Sequence, residues 1–238
     1  MPEIRALLFD VFGTVVDWRS GVAREVEAMA AERGVTVDGG EFADRWRRRY
    51  QPAMEEVRSG RRAFVPLDVL HRENLDGVVS DLGVAGFTDA DLDALNFAWH
   101  RLDPWPDSVA GVTRLKSRFI VATQSNGNVS LMVNMAKRGG LPWDVILGAE
   151  VTGHYKPSPQ SYSEACRLLG LPGEQCMLVA AHNSDLVAAR EACGMRTAFI
   201  SRPDEYGTHR PRPSEAKASE AYDYVASDLL DLAQQLGC

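Results

Sequence analysis

The stretch Ala6-Leu7-Leu8-Phe9-Asp10 limits what this chain can become. Its apolar run reads as a strand buried on both faces, and a carboxylate follows at once. Such strands belong to α/β sheets, where ligands bind beyond the carboxyl ends of the strands. Asp10 therefore falls at the edge where a site would form. Gly13 permits a sharp turn or a close approach, and Thr14 adds a hydroxyl. An Asx-type turn explains the same residues without any chemistry, so the decision rests on the later strand ends.

Apolar runs recur at 119–123, 145–147, 177–180 and 197–200, with a short one at 224–226. Helical patterns fall beside them at 108–116, 128–138, 159–169, 188–193 and 228–236. This alternation predicts an α/β fold with a doubly wound parallel sheet. The span 18–102 is different, because it holds helical patterns and no convincing strand. Ser20 is placed to cap a helix over 21–33, with Val22, Val26, Met29 and Ala30 as its apolar stripe. A second helix starts near Glu41, and Phe42, Trp46 and Tyr50 share one of its faces among Arg45, Arg47, Arg48 and Arg49. Pro52 is expected to bend that segment or begin a new one. Helices over 66–82 and 88–99 follow, the latter with Thr88 as N-cap and acids in its first turn. The expected division is an α/β core domain at 1–17 and 103–238, with a helical cap domain at 18–102. The polar, proline-rich segment 203–219 reads as a surface loop.

A net charge of −7 with no long basic stripe argues against nucleic acid as a partner. It also means that an anionic substrate needs a local positive pocket. The apolar runs are too short to span a bilayer. The four cysteines show no metal-ligand spacing and fit free thiols in a reducing cytosol. Glu3 and Arg5 interrupt the start, and no signal peptide is read there, so the expected location is cytoplasmic.

Polar groups gather just after the strands. Asp10 and Thr14 follow the first, Ser125 and Asn126 the second, Lys156 the third, and His182, Asn183 and Asp185 the fourth. Each has an ordinary account alone: a turn, a solvated lysine, a helix cap, a structural histidine. A parallel sheet brings all four loops to one edge. Two carboxylates, an ammonium and several short donors then suit covalent catalysis by a carboxylate. In that arrangement Asp10 attacks, Lys156 balances its charge, and Asp185 orients Lys156 or activates a water.

The motifs Asp10-Val-Phe-Gly-Thr14, Gln124-Ser125-Asn126-Gly127, Tyr155-Lys156-Pro157 and Asn183-Ser184-Asp185 resemble those of the haloacid dehalogenase superfamily, in the same order. Most members of that superfamily are Mg-dependent phosphatases with a second Asp two places after the nucleophile. Here that place holds Phe12, and a hard divalent ion wants several oxygen ligands. The pattern is closer to the metal-independent L-2-haloacid dehalogenases, (S)-2-haloacid dehalogenases of type II. A halide leaves as an anion and needs no general acid.

The resemblance implies a small anionic 2-halo acid as substrate, a released halide, no cofactor and no metal. It implies that Ser125, Asn126 and the backbone N–H groups of Val11 and Phe12 hold the substrate carboxylate. It implies that Arg47, after Trp46, receives the halide (with Arg48 as the alternative), that Tyr162 supports the site, and that the cap helices suit a homodimer. One departure stands out. Where relatives carry Ser-Asn before the last Asp, this chain has His182 and then Asn183, so either residue is a candidate to handle water.

Overall fold

The computed structural model describes residues 3–208 and 217–238. Six strands form one parallel sheet in the order β3-β2-β1-β4-β5-β6. They are β1 (Ala6–Phe9), β2 (Ile120–Ser125), β3 (Val145–Gly148), β4 (Cys176–Ala180), β5 (Arg196–Ile200) and β6 (Tyr224–Ala226). β1 lies inside the sheet, with Leu8 in register with Ala122 of β2 on one side and Leu178 of β4 on the other.

Alternation along β1 explains its unbroken apolarity. Leu7 and Phe9 join the large cluster that includes Val121, Met177 and Val179. Ala6 and Leu8 point the other way, into a smaller cluster with Ala122, Leu178 and Ala180. Both faces of the sheet are covered, so a polar residue inside β1 would be buried without a partner.

Between β1 and β2 come α1 (Trp18–Arg33), α2 (Gly39–Arg58), α3 (Leu67–Leu82), α4 (Asp89–Asn96) and a 3-10 turn (Phe97–Arg101). No strand interrupts them. α5 (Ser108–Lys116) then leads into β2. Two expectations about this span are corrected. α1 is capped by Asp17, whose side chain accepts the Ser20 N–H, so Ser20 lies inside the helix. The aspartate wins because its carboxylate also answers the positive end of the helix. α2 continues through Pro52, so no new helix begins there, and its buried face carries Phe42, Trp46, Tyr50 and Met54. Packing of that face outweighs the backbone hydrogen bond that proline forfeits. Thr88 caps α4 in a reciprocal capping box with Asp91.

The later crossovers are α6 (Val129–Gly139), the short α7 (Ala149–Thr152), α8 (Pro159–Leu169), α9 (Asn183–Cys193) and the closing α10 (Leu229–Gln235). α9 starts directly after β4, five residues earlier than the apolar pattern suggested, which sets Asp185 in its first turn. The four cysteines are free thiols. No described helix is long and apolar enough to cross a membrane.

Leu8 is fully buried at the middle of the sheet. Leu8→Ala is expected to cost about 2–5 kcal/mol, in the range of cavity-forming core truncations. Urea unfolding would show this as a lower midpoint at an unchanged slope.

Candidate active site

The end of β1 is tied to β4 by the Asp10 N–H, which donates to Val179 O at 3.0 Å. The chain then turns tightly, with Val15 and Val16 N–H both donating to Val11 O. This turn returns Thr14 to the carboxylate. Its hydroxyl donates to Asp10 Oδ2 at 2.7 Å and accepts the Ala181 N–H at 2.8 Å. One side chain thereby fixes the Asp10 rotamer and joins two strand ends.

Lys156 reaches the same carboxylate from the loop before α8. Its Nζ donates to Asp10 Oδ1 at 2.8 Å and to Asp185 Oδ2 at 2.5 Å. Tyr162, on α8, donates its hydroxyl to the other oxygen of Asp185. Asp10, Lys156 and Asp185 are each at most 8% exposed, so their charges compensate one another with little help from water.

Burial alone would raise the Asp10 pKa. The Lys156 ammonium and the His182 ring outweigh it and hold the carboxyl far below the usual carboxylate range. Burial would likewise lower Lys156, but Asp10 and Asp185 keep it above its ordinary value. The Tyr162 phenol is pushed up by burial and by Asp185, which keeps it a donor.

His182 Nδ1 lies 3.0 Å from Asp10 Oδ2, and its Nε2 lies 3.1 Å from Glu205 Oε1. Glu205 also accepts the Trp18 indole N–H at 3.0 Å. Burial pulls the imidazole pKa down, but Glu205 and Asp10 together lift it well above 6.5. The imidazolium, with two N–H donors, is the form that satisfies both carboxylates. Glu205 itself is held below its ordinary range; His182 and Arg47 outweigh its burial. Gly13 makes room for this carboxylate: its φ is +88°, and a Cβ there would collide with the Glu205 side chain.

These groups open into a cavity of about 600 Å³ lined by Asp10, Phe12, Asn126, Lys156, His182 and Asp185 from around the sheet edge. Trp18, Asp44, Arg47, Tyr50 and Tyr206 also line it. The Arg47 guanidinium stands 4.2 Å from the Tyr50 ring centroid and 5.3 Å from that of Trp18. Its Nη1 is buried and has no hydrogen-bond partner. Burial works against its charge, but Tyr50, Tyr206, Glu205 and Asp10 keep its pKa raised. A buried donor left unanswered in a cavity is a ready anion contact.

Arg48, the alternative to Arg47, is largely exposed and paired with Glu41. Asn126 Oδ1 accepts the Lys156 N–H at 2.8 Å. Ser125 Oγ accepts the Gly127 N–H at 3.0 Å, which shapes the turn after β2. Val11 is buried, and Phe12 packs edge-on against Trp99.

Asn183 does not join this cluster. Its Nδ2 donates to Lys217 O, and its Oδ1 accepts from Ser219 N–H and Tyr222 OH. It is the first residue of α9, while His182, one place earlier, reaches Asp10. The expectation that segment 203–219 is all surface is also corrected. Glu205 is buried and Tyr206 lines the cavity, because the ionic contact to His182 outweighs the segment's polarity. Residues 209–216 lie outside the described part. Trp18, Asp44, Tyr50, Glu205 and Tyr206 are among the site residues that sequence reasoning missed.

The pKa directions set the pH response. The contribution of a raised His182 is complete below 6.5 and fades as pH climbs through its folded value. That of Asp10 is present above 3.8 and is lost only as pH falls through its depressed value. Glu205→Gln removes one carboxylate from His182, so the imidazole should titrate at lower pH. An NMR titration of the ring protons checks this, and an unmoved midpoint would refute the pairing.

Comparison with known proteins gives the family. Residues 4–192 match the haloacid dehalogenase-like hydrolase family. An (S)-2-haloacid dehalogenase 4A from Burkholderia cepacia is 29% identical over 239 residues, covering 98% of this chain and all of that protein. The crystal structure of a defluorinating L-2-haloacid dehalogenase is 49% identical, with a TM-score of 0.95 over 99% of this chain and 96% of that one. A second L-2-haloacid dehalogenase is also 49% identical, with a TM-score of 0.93 and 98% of each chain covered. With a sheet, a helical layer and a buried lysine–carboxylate centre arranged as described, the chain belongs to the haloacid dehalogenase-like hydrolases, among the L-2-haloacid dehalogenases.

Proposed function

We propose that this enzyme hydrolyses short 2-haloalkanoic acids, haloacetates and L-2-haloacids, to 2-hydroxy acids through an ester on Asp10, without a metal ion. The observation that carries this reading is the Lys156 ammonium seated between Asp10 and Asp185 in the wall of the Arg47 cavity. A divalent ion would need that same space between the carboxylates. Among the described residues, no group of three His, Cys, Asp or Glu side chains is arranged to hold a metal.

In the proposed path, Asn126, Ser125 and the N–H groups of Val11 and Phe12 face the substrate carboxylate. Asp10 Oδ1 accepts from Lys156, whereas Oδ2 accepts from Thr14 and stands against His182. Oδ1 is thus the less encumbered oxygen and attacks C2 in line. The carbon–halogen bond breaks with its electron pair on the halide, which departs toward Arg47 Nη1. Ester formation removes the negative charge of Asp10. His182 then loses one of the two carboxylates that keep it protonated and releases its Nδ1 proton to solvent, while Glu205 holds the proton on Nε2. Water held by His182 and Asp185 gives one proton to the freed Nδ1 as it attacks the ester carbonyl of Asp10. That proton passes to the departing alkoxide, the 2-hydroxy acid leaves with C2 inverted, and the second water proton returns from the Asp10 carboxyl to Nδ1.

Fluoroacetate belongs among the proposed substrates, since the defluorinating relative is so similar along its whole length. The division into core (1–17 and 103–238) and cap (18–102), the cytoplasmic location and a homodimer through the cap helices belong to the same proposal. Sedimentation at several concentrations tests the dimer.

Asp10→Asn is expected to lower halide release by roughly 10⁴-fold or more, as for other lost nucleophiles. In a single turnover in ¹⁸O-water, label should appear in Asp10 before it appears in product. Activity on chloro-, bromo- and fluoroacetate and the two 2-chloropropionates should be unchanged by EDTA. Loss of activity with EDTA, or label confined to product, would sink this reading. Arg47→Met keeps an apolar stem but removes the buried donor, and should lower kcat by about 10²-fold, the usual effect of one lost donor to developing charge.

A further inference from the structure

The ammonium of Lys156 belongs to the site just described, but its main chain is held from two directions. On the sheet side, its N–H donates to Asn126 Oδ1 at 2.8 Å. On the helical side, its carbonyl accepts from Arg58 Nη1 at 3.0 Å. Arg58 is the last residue of α2, the helix that also carries Arg47 into the cavity. Its side chain is only 14% exposed. Arg58 Nε donates to Glu55 at 2.9 Å, and Nη2 reaches Gln51, itself a cavity residue, at 3.3 Å. Arg58 does not line the cavity.

The neighbour of Lys156 is gripped from the same side. Tyr155 donates its hydroxyl to Val65 O at 2.8 Å, and its ring packs 5.2 Å from that of Phe64. The segment joining α2 to α3 thus supplies a second hold on the lysine loop. A charged guanidinium buried to this degree needs a reason, since desolvation opposes it. Elsewhere on α2, Arg48 pairs with Glu41 and Arg49 reaches Asp81 and the Gly77 carbonyl, while Arg61 just beyond the helix pairs with Glu56. Arg58 instead directs one nitrogen to the peptide oxygen of the lysine that bridges Asp10 and Asp185.

We propose that Arg58 is a positioning residue for catalysis: it fixes the Lys156 main chain, so the catalytic charge set is complete only while the helical layer sits on the sheet. Separation of α2 from the lysine loop would break the Arg58–Lys156 bond. The ammonium then drifts from the line between the two carboxylates, and the nucleophile loses its counter-charge. The same helix moves Arg47 and Arg58 together. Closure therefore delivers the leaving-group donor and seats the lysine in one movement. This inference rests on the reading of Lys156 given above.

The test compares full-length Arg58→Met, Arg58→Lys and Asp10→Asn with the parent enzyme, using chloroacetate and halide release. Arg58→Met keeps the apolar stem and removes the donor. It should lower kcat by about ten- to a hundredfold, the scale of a misplaced catalytic group, with KM little changed because Arg58 touches no substrate. Arg58→Lys, which restores one donor, should recover part of that loss. Thermal unfolding is read in parallel. An unchanged kcat in Arg58→Met overturns the inference. So does a loss shared equally by Arg58→Met and Arg58→Lys that moves kcat and KM together with a lower Tm, since that marks packing alone. Halide release that survives in Asp10→Asn would instead sink the reading of the site itself. A dead Asp10→Asn beside a normal Arg58→Met sinks only the role of Arg58.

Discussion

An ammonium suspended between two buried carboxylates is the interaction on which the rest of this molecule depends. Taking such ions out of water costs several kcal/mol each, and their attraction offsets this only when geometry and extra hydrogen bonds are good. Each member here has a second support: Thr14 for Asp10, Tyr162 for Asp185, and Asn126 for the Lys156 main chain. Those supports come from three different connections, the ones that follow β1, β2 and β3. The sheet fixes their relative positions because β2, β1 and β4 are adjacent and parallel. The fold and the charge set are therefore one problem, and the depressed pKa of Asp10 is its chemical result.

The cavity reconciles an acidic protein with an anionic substrate. The chain carries a net −7, yet Arg47, His182 and Lys156 converge where substrate would enter. The aromatic rings pack around the Arg47 guanidinium and leave its buried Nη1 without a hydrogen-bond partner. His182 is different in kind. It stands between Asp10 and Glu205, so its proton affinity depends on whether Asp10 carries charge. In the proposed reaction that dependence times the base: the ring is protonated while Asp10 is free and yields once Asp10 is esterified.

Much of this was legible in the residue order, and the reason is burial. Apolar runs that fill a two-faced sheet mark the strands, and whatever polar residue ends a strand is placed by the sheet itself. Asp10, Asn126, Lys156 and Asp185 were found that way. Glu205 was not. It sits in a polar, proline-rich stretch, and its burial comes from His182, Trp18 and the space above Gly13, all distant in the chain. Asn183 is the opposite case. Its neighbours in sequence belong to the site, but one step along the first turn of α9 turns its amide toward Lys217 and Tyr222. Pro52 shows the same limit, since the helix does not restart there but carries its buried face on to Met54.

The central place of β1 has a consequence for how the chain is made. Its two partners, β2 and β4, begin at Ile120 and Cys176. During synthesis the nucleophile strand emerges first, and the helices of 18–101 follow it long before any neighbour exists. An apolar tetrapeptide with both edges open must therefore wait, sheltered by those helices or by a chaperone, until most of the molecule is out of the ribosome. Asp10 can meet the cationic partners that tune its carboxylate only after residues 156 and 182 have been made.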